Sequence, residues 1–169
     1  GSTRSINTSV DMSKGGLVWI KDRENYVDHN LYDTERGVGK YLVSNSSEAE
    51  DTSSPRLNAF NNNGFGLGGN SAVNGSGTDF ASWSFRKAKG FFDVVTWTGD
   101  NGGERNISHS LGSNIGMIIA KRTDSAAAWH VWHRELPNLY SLLELNNTQA
   151  VNNGSDAWGY PSQGGGPVI

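Results

Sequence analysis

The sequence has no cysteine, only four prolines and no long apolar run. Without cysteine the chain has no disulfide, no thiolate metal ligand and no cysteine nucleophile. No stretch approaches the roughly 20 apolar residues of a membrane-spanning helix, and residues 1–4 lack the apolar region of a signal peptide. Charge is nearly balanced, with 14 Lys and Arg against 17 Asp and Glu. We therefore expect neither nucleic-acid binding nor membrane insertion.

Residues that favour turns and strands take the place of the usual helix formers. The chain has 22 Gly, together with many Asn and Ser, and it retains 6 Trp, 5 Tyr and 6 Phe. Gly, Asn and Ser favour turns, whereas aromatic residues favour strands. Short apolar stretches such as residues 17–20 alternate with turn clusters, which is typical of a sandwich or barrel. We predict an all-β fold, an antiparallel β-sandwich, with less than about 10% helix.

One predicted strand, residues 79–85, alternates clearly between large apolar and small polar side chains. Ala81, Trp83 and Phe85 share one face, because successive side chains of a strand point to opposite sides. The other face carries Ser82 and Ser84. The pattern predicts that Trp83 and Phe85 face the core.

The first part of the sequence recurs about 100 residues later. The matches run in order: Gly1, Arg4, Ile6 and Ser9 with Gly102, Arg105, Ile107 and Ser110, then 16–21 with 116–121, 29–33 with 129–133, and 42–49 with 143–150. We predict a first repeat unit over 1–101 and a second, incomplete unit over 102–169. Alternatively, the two together complete one sandwich. Trp19 and Ile119 then hold equivalent positions, and the second unit pairs with the first or with another chain.

The repeated blocks carry recognisable motifs, which are specific as a set. They comprise residues 16–23, 31–37, 40–46, 63–68, 74–77, 81–83, 96–99, 107–112 and 117–121. Together they resemble a family of repeats in structural and tail-fibre-like proteins of tailed phages, particularly phages of marine bacteria and cyanobacteria. The resemblance implies a concanavalin A-like (laminin G-like) jelly roll on a virion appendage. It also implies other copies of the chain or other virion proteins as partners, and it carries over no catalytic residue.

Aromatic side chains are the candidates for sugar binding, since exposed Trp and Tyr rings stack on pyranose rings. Trp129 and Trp132 are three apart on a predicted strand, so that one faces outward if the other lies in the core. The same reasoning applies to Tyr26 and Tyr32. We predict a glycan-binding site from Tyr32, Trp129 and Trp132. The alternative, that each is a core residue, stays open.

Oxygen ligands in loops are compatible with calcium, which takes six to eight of them. The candidates are Asp100, Asn101 and Glu104, and, separately, Asn74 with Asp79. Turn chemistry explains Asn and Asp in these loops equally well. A histidine site is not expected, because His130 and His133 are three apart on a strand and point to opposite faces. We predict no cofactor apart from this calcium candidate.

Catalytic patterns are missing from the sequence. No pair of carboxylates is placed at alternate positions of a predicted strand, as a glycosidase on a sandwich needs, and there is no Gly-x-Ser-x-Gly motif. We therefore predict a non-enzymatic protein. The resemblance to tail-fibre-like repeats implies that it is a structural protein of the virion, a tail-fibre or appendage module that adheres to host-surface polysaccharide. The alternatives are a free-standing, calcium-assisted carbohydrate-binding module and a polysaccharide-degrading enzyme.

Overall fold

The fold is built almost entirely from short antiparallel strands. A computed structural model describes residues 2–52, 56–154 and 158. Within them the helical elements are one four-residue helix, α1 (Ser71–Asn74), and one 3-10 turn, Met12–Lys14. The prediction of an all-β fold is confirmed. The strands are β1 (Arg4–Asn7), β2 (Gly16–Asp22), β3 (Asn30–Asp33), β4 (Leu42–Val43), β5 (Leu57–Asn61), β6 (Gly64–Leu67), β7 (Phe80–Arg86), β8 (Met117–Lys121), β9 (Trp129–His133) and β10 (Leu143–Glu144).

The strands form three sheets, two of which enclose the main core. Their orders are β4-β3-β2-β7, β1-β6-β5 and β10-β9-β8. Val18, Ile20 and Tyr32 from the first sheet pack in one buried cluster with Leu57 and Phe65 from the second. The first two sheets therefore form a two-layer β-sandwich, as predicted, and all of its strands lie within residues 1–101.

Two glycines allow the close approach of strands in this sandwich. A Cβ on Gly16, which has φ +156°, would lie 2.1 Å from the backbone oxygen of Phe85 in β7. A Cβ on Gly64, with φ +152°, would lie 2.0 Å from the oxygen of Ile6 in β1. Because both distances are far below van der Waals contact, each position requires a residue without a side chain.

The central strand β2 is apolar on both faces. Val18 and Ile20 point into the sandwich, whereas Leu17 and Trp19 point to the opposite side. We call this opposite side of the β4-β3-β2-β7 sheet the outer face. The third sheet covers part of it, because Trp129 of β9 packs against Leu31 and Leu42.

The meander β2-β3-β4 recurs as β8-β9-β10. The pairing of Val18 with Tyr32 and of Trp19 with Leu31 has its counterpart in Ile118 with Trp132 and Ile119 with Val131. The bridge between Tyr41 and Asp51 has its counterpart in Leu142 and Asn152. Trp19 and Ile119 thus hold equivalent positions in their strands, as the repeat predicted. The counterparts of β5 and β6 fall at about residues 158–168, of which only Trp158 is described, so the full second unit stays a prediction.

The second unit has a core of its own. Trp132, Leu142 and Trp158 are buried together, and Ile118 and Ala120 of β8 pack against them. Arg105 and Ile107, which match Arg4 and Ile6 of β1 in sequence, lie outside any strand. In the first unit the matching segment β1 is paired with β6.

The prediction that Trp83 and Phe85 of β7 face the core is wrong. Ala81, Trp83 and Phe85 do share a face, but it is the outer face, and Trp83 is 48% exposed. The pairing explains this, because Trp83 lies opposite Trp19 and Ser84 lies opposite Val18. Residues directly opposite each other in an antiparallel pair share a face, so Ser84 takes the core side.

None of the helices in the described part of the chain is long and apolar enough to cross a bilayer.

Candidate functional site

The outer face carries a row of aromatic side chains that begins at Trp19, which packs against the cluster of Leu31, Leu42 and Trp129. We call Trp19, Trp83, Phe85, Phe91 and Phe92 the aromatic face. Phe91 and Phe92 come from the turn after β7 and pack toward it, with ring centroids of Phe85 and Phe92 5.5 Å apart. Trp83 is 48% exposed and Phe91 is 66% exposed. Large apolar side chains gathered on a surface mark interaction sites, whereas single ones do not.

Trp19 fixes the geometry at the centre of the aromatic face. Its ring meets Trp83 edge-on, with centroids 5.9 Å apart and planes at 63°. Its Nε1 donates to Nδ1 of His29 at 2.9 Å. This bond needs a lone pair on Nδ1, and burial, followed by the charge of Lys21, lowers the pKa of His29 and so favours the neutral ring. Trp83 therefore packs against the indole of Trp19, whose position is already fixed by its hydrogen bond to His29.

A polar groove of about 300 Å³ adjoins the aromatic face at the end of β7. Lys87 lies within it, and its Nζ is 3.0 Å from Oε1 of Glu35 and 3.0 Å from Oδ1 of Asp93. Oδ2 of Asp93 accepts hydrogen bonds from N–H and Oγ of Ser110, at 2.6 and 2.8 Å. Thr96, Ser108 and His109 also line the groove.

The contacts of Asp93 lower the pKa of its carboxyl group. Burial alone would raise its pKa, but the hydrogen bonds from Ser110 and Lys87 outweigh burial and lower the pKa to about 2. The hydrogen bond to Asp93 comes first among the causes that raise the pKa of Lys87. Asp93 thus links Lys87, which directly follows β7, to Ser110, through one ion pair and two hydrogen bonds.

This gives a prediction on acid stability. Because the pKa of Asp93 is lowered in the folded state, its contribution is present above the unfolded value of 3.8 and is lost as pH falls toward about 2. We expect the free energy of unfolding of Asp93→Asn to decrease less than that of the wild type as pH falls over that range. Urea unfolding at several pH values measures the difference. Asp79→Asn, at an exposed carboxylate, is the matched control. A variant and a control with the same acid profile would contradict this role.

The groove brings a serine, a histidine and an aspartate together without the arrangement of a hydrolase. Oγ of Ser110 donates to the carboxylate of Asp93, and Nδ1 of His109 accepts from N–H of Leu111 at 3.2 Å. In a Ser-His-Asp hydrolase the histidine is instead the base of the serine, and the carboxylate orients the histidine. The groove does not have that arrangement, and its charged and hydroxyl side chains can exchange hydrogen bonds with hydroxyl groups of a ligand.

The predicted glycan-binding residues lie in the core, which corrects that prediction. Tyr32 is fully buried in the sandwich, and Trp129 and Trp132 are 5% and 4% exposed. Trp129 and Trp132 do point to opposite faces of β9, but both faces are covered, one by the first unit and the other by the second unit's core. A ring without an exposed face cannot stack on a sugar. Tyr26, by contrast, is fully exposed.

The predicted calcium ligands serve turns and connections. Oδ1 of Asp100 accepts from N–H of Gly102 at 3.0 Å, which is the first cause of a lowered pKa, and Oδ2 lies 3.4 Å from Nη1 of Arg105. Asn101 has a φ of 56°, as turn residues have, and Glu104 is exposed. In the described ranges no three His, Asp or Glu side chains gather to hold a metal.

The second calcium candidate is likewise a structural residue. Asn74 is buried, and its Nδ2 donates to the backbone oxygens of Ser2 and Gly68 at 2.8 Å. The side chain of Asn74 therefore contacts these neighbours through the N–H donors of its amide, whereas a calcium ligand would use the amide oxygen. It ties the segment before β1 to the end of β6, and Asp79 accepts from N–H of Arg23 through its backbone oxygen.

The described residues form an all-β protein in which a two-layer sandwich, partly covered by a third sheet, presents an exposed aromatic sheet face. Residues 1–165 match the model of a family described as a domain of unknown function, DUF7483, and the chain belongs to this family. No curated protein and no solved structure matches the chain.

Proposed function

We propose that the chain is a non-enzymatic module of a virion appendage of the tail-fibre type, and that its aromatic face adheres to host-surface polysaccharide. The resemblance of its sequence blocks to tail-fibre-like repeats of tailed phages supports the place in the virion. The exposed ring of Trp83 beside Trp19 carries the proposal of sugar binding. Adhesion needs only a rigid support for such a surface, which the sandwich supplies.

The geometry of the aromatic face suits the apolar side of a sugar ring. Trp83 presents a large, rigid ring whose position is set by Trp19, so that little side-chain entropy is lost on binding. The neighbouring Phe85 and Phe92 widen the apolar surface along β7. A pyranose can pack its C–H groups on such rings while its hydroxyl groups remain in water.

The polar groove supplies hydrogen-bonding partners beside the aromatic rings. Lys87 directly follows β7 and is four residues from Trp83, which is about 13 Å at 3.3 Å per residue. The side chains of Glu35, Thr96 and Ser108 line the groove at that end. A surface of this length favours a polysaccharide chain over a single monosaccharide.

The two alternative functions lack a comparable observation. A calcium-assisted module would need oxygen ligands that converge, whereas Asp100 contacts Arg105 and Asn74 directs its amide donors to backbone oxygens. A polysaccharide-degrading enzyme would need two carboxylates facing one bound sugar. In the groove, Asp93 and Glu35 instead share the ammonium group of Lys87.

A single substitution tests the sugar-binding face. We expect the wild-type chain to bind a subset of polysaccharides on a glycan array, and Trp83→Ala to weaken that binding at least about tenfold, because the stacking ring is removed. Tyr140→Ala is the matched control, since Tyr140 is 43% exposed on the second unit. Thermal melting checks that both variants remain folded.

Two results would overturn the proposal. Unchanged binding by Trp83→Ala, or an equal loss in Tyr140→Ala, would remove the aromatic face as the binding surface. Immunogold labelling of phage particles with antibodies against the chain tests its place in the virion separately, and labelling confined to other structures would contradict that place.

A further inference from the structure

The ammonium group of Lys87 in the polar groove is fully engaged within the protein. Among the described residues that line the groove, Lys87 is the only lysine or arginine. An ammonium group has three N–H donors. Those of Lys87 reach Oε1 of Glu35 and Oδ1 of Asp93, each at 3.0 Å, and the backbone oxygen of Val94 at 3.4 Å. Lys87 therefore has no donor left for an acidic group of a ligand.

The carboxylate of Asp93 is occupied as well. Its Oδ2 accepts hydrogen bonds from N–H and Oγ of Ser110, and its Oδ1 accepts from Lys87 and from N–H of Val94 at 2.9 Å. A carboxylate has about four acceptor positions, so those of Asp93 are filled. The side chain is 6% exposed. Asp93 thus maintains the shape of the groove and has no oxygen available to a ligand.

Glu35 is the charged side chain of the groove that retains an available atom. Its Oε1 accepts from Lys87, whereas its Oε2 accepts no hydrogen bond from the described part of the chain. The side chain is 37% exposed and lines the groove. Because the ion pair with Lys87 holds the carboxylate in place, a ligand hydroxyl group can donate to Oε2 with little loss of side-chain entropy.

The remaining polar side chains of the groove are suited to hydroxyl groups. Nδ1 of His109 accepts from N–H of Leu111 at 3.2 Å, so the proton of the neutral ring is on Nε2, which can donate to a ligand. The hydroxyl groups of Thr96 and Ser108 can donate and accept. With two carboxylates against one ammonium group, the groove has one net negative charge.

The lysine at the other end of the aromatic face is engaged in the same way. Lys21 is two residues after Trp19 in β2 and therefore lies on the same side of the sheet. Its Nζ donates to the backbone oxygens of Asp22, Asn25 and Val27, at 2.6, 3.5 and 2.8 Å. This ammonium group, too, has no donor left for a ligand.

We propose that the polysaccharide bound at the aromatic face has sugar units with free hydroxyl groups and without carboxylate, sulfate or phosphate, and that Glu35 determines this specificity. The inference rests on the proposed function and names the ligand class of the same site. A sugar hydroxyl group can donate to Oε2 of Glu35. An acidic group in the same place would be repelled by that carboxylate, and Lys87 could not compensate for the repulsion. The formal net charge of the chain, −3, acts in the same direction.

Charged and uncharged forms of one polysaccharide test the ligand class. We expect the polysaccharides that the wild-type chain binds on a glycan array to be free of acidic groups. Oxidation of the primary hydroxyl groups of such a polysaccharide to carboxylates keeps its linkages and adds negative charge. We expect this oxidation to weaken binding at least about tenfold, because each new carboxylate meets a groove of the same sign.

The substitution Glu35→Gln tests the residue. It keeps the shape of the side chain and removes its charge, so binding of the unmodified polysaccharide should weaken about tenfold through loss of a charge-assisted hydrogen bond. Oxidation of the ligand should then cost this variant about threefold or less. Glu48→Gln, at an exposed carboxylate of the first unit outside the groove, is the matched control and should change neither value. The ratio of the two affinities would not respond to a loss of stability alone.

An exposed lysine near the groove provides the opposite control. Lys89 lies in the turn after β7 and does not line the groove, so Lys89→Gln should leave binding unchanged, whereas a ligand with acidic groups would lose affinity. Preference of the wild type for acidic polysaccharides, unaltered discrimination in Glu35→Gln, or weaker binding by Lys89→Gln would each overturn this inference and leave the aromatic face as the binding surface. A chain that binds no polysaccharide would contradict the proposed function, and this inference with it.

Discussion

Replacing Trp129 by alanine is expected to lower the free energy of unfolding by about 3–5 kcal/mol, the usual cost of removing a large buried ring. Trp129 is 5% exposed and packs against Leu31 and Leu42 on the outer face. Its Nε1 also donates to the backbone oxygens of Val43 and Ser46, at 2.9 and 3.1 Å. The side chain thus attaches the second unit to the first.

Urea unfolding and amide hydrogen exchange measure this loss. Exchange of β8 and β9 should accelerate more than exchange of the sandwich strands, because the second unit loses a buried attachment to the first and keeps only backbone hydrogen bonds such as that from Ala127 to Ser47. Trp97→Ala is the matched control, since Trp97 is 40% exposed, and it should cost much less. Equal effects of the two substitutions would show that Trp129 does not hold the units together.

The second large effect is expected at a buried ion cluster beside β3. Arg36 is 8% exposed in its side chain, and its Nε lies 2.5 Å from Oδ2 of Asp33. Its Nη1 lies 3.1 Å from Oε2 of Glu50, and its Nη2 donates to the backbone oxygen of Leu31 at 3.1 Å. Arg36→Leu should cost about 3–5 kcal/mol, because it leaves the buried Asp33 without a cation and leaves Glu50 with only Lys40, whose Nζ is 3.9 Å from Oε1 of Glu50.

The second unit suggests substitutions that should restore part of the stability lost in this variant. The residues aligned with Asp33, Arg36 and Glu50 are His133, Leu136 and Val151, and Leu136 packs into the second unit's core. We expect the combination Asp33→His, Arg36→Leu and Glu50→Val to recover part of the lost stability in urea unfolding above pH 7, since it removes both carboxylates that had paired with Arg36 and puts a neutral imidazole in place of Asp33. A combined variant as unstable as Arg36→Leu alone would contradict this account.

The strand arrangement of the meanders could be predicted from the sequence because the repeated blocks preserve strand and turn residues together. The sequence match of Leu42 with Leu143 reappears in the structure, where Leu42 lies opposite Leu31 and Leu143 lies opposite Val131. Register is set by such patterns, since a shift of one residue would exchange the two faces of a strand. Two copies of the same pattern therefore define the register of the strands better than a single copy does.

The burial of individual aromatic side chains could not be predicted in the same way. Alternation in β7 shows that Trp83 and Phe85 share a face, but not whether another layer covers that face. Tertiary packing decides this, as the third sheet does when it buries Trp129 against the first unit. The sequence did contain a signal for a second apolar surface. Strand β2 is apolar on both faces, with Val18 and Trp19 adjacent.

The aromatic face joins residues that are distant in the sequence. Trp19 comes from β2, Trp83 from β7 and Phe92 from the turn that follows. Only the pairing of β2 with β7 brings the two tryptophans together. No local motif contains this site, because its members share a surface and not a segment.

The indole signals of the six tryptophans provide the most direct test of sugar binding at the aromatic face. Each indole N–H gives a separate signal in a nitrogen–proton NMR spectrum, and substitutions to phenylalanine assign them. On titration with a polysaccharide that the chain binds, we predict that the signals of Trp83 and Trp19 shift, while those of the buried Trp129, Trp132 and Trp158 stay in place. Shifts confined to Trp97, or to the buried tryptophans, would contradict the proposed binding face.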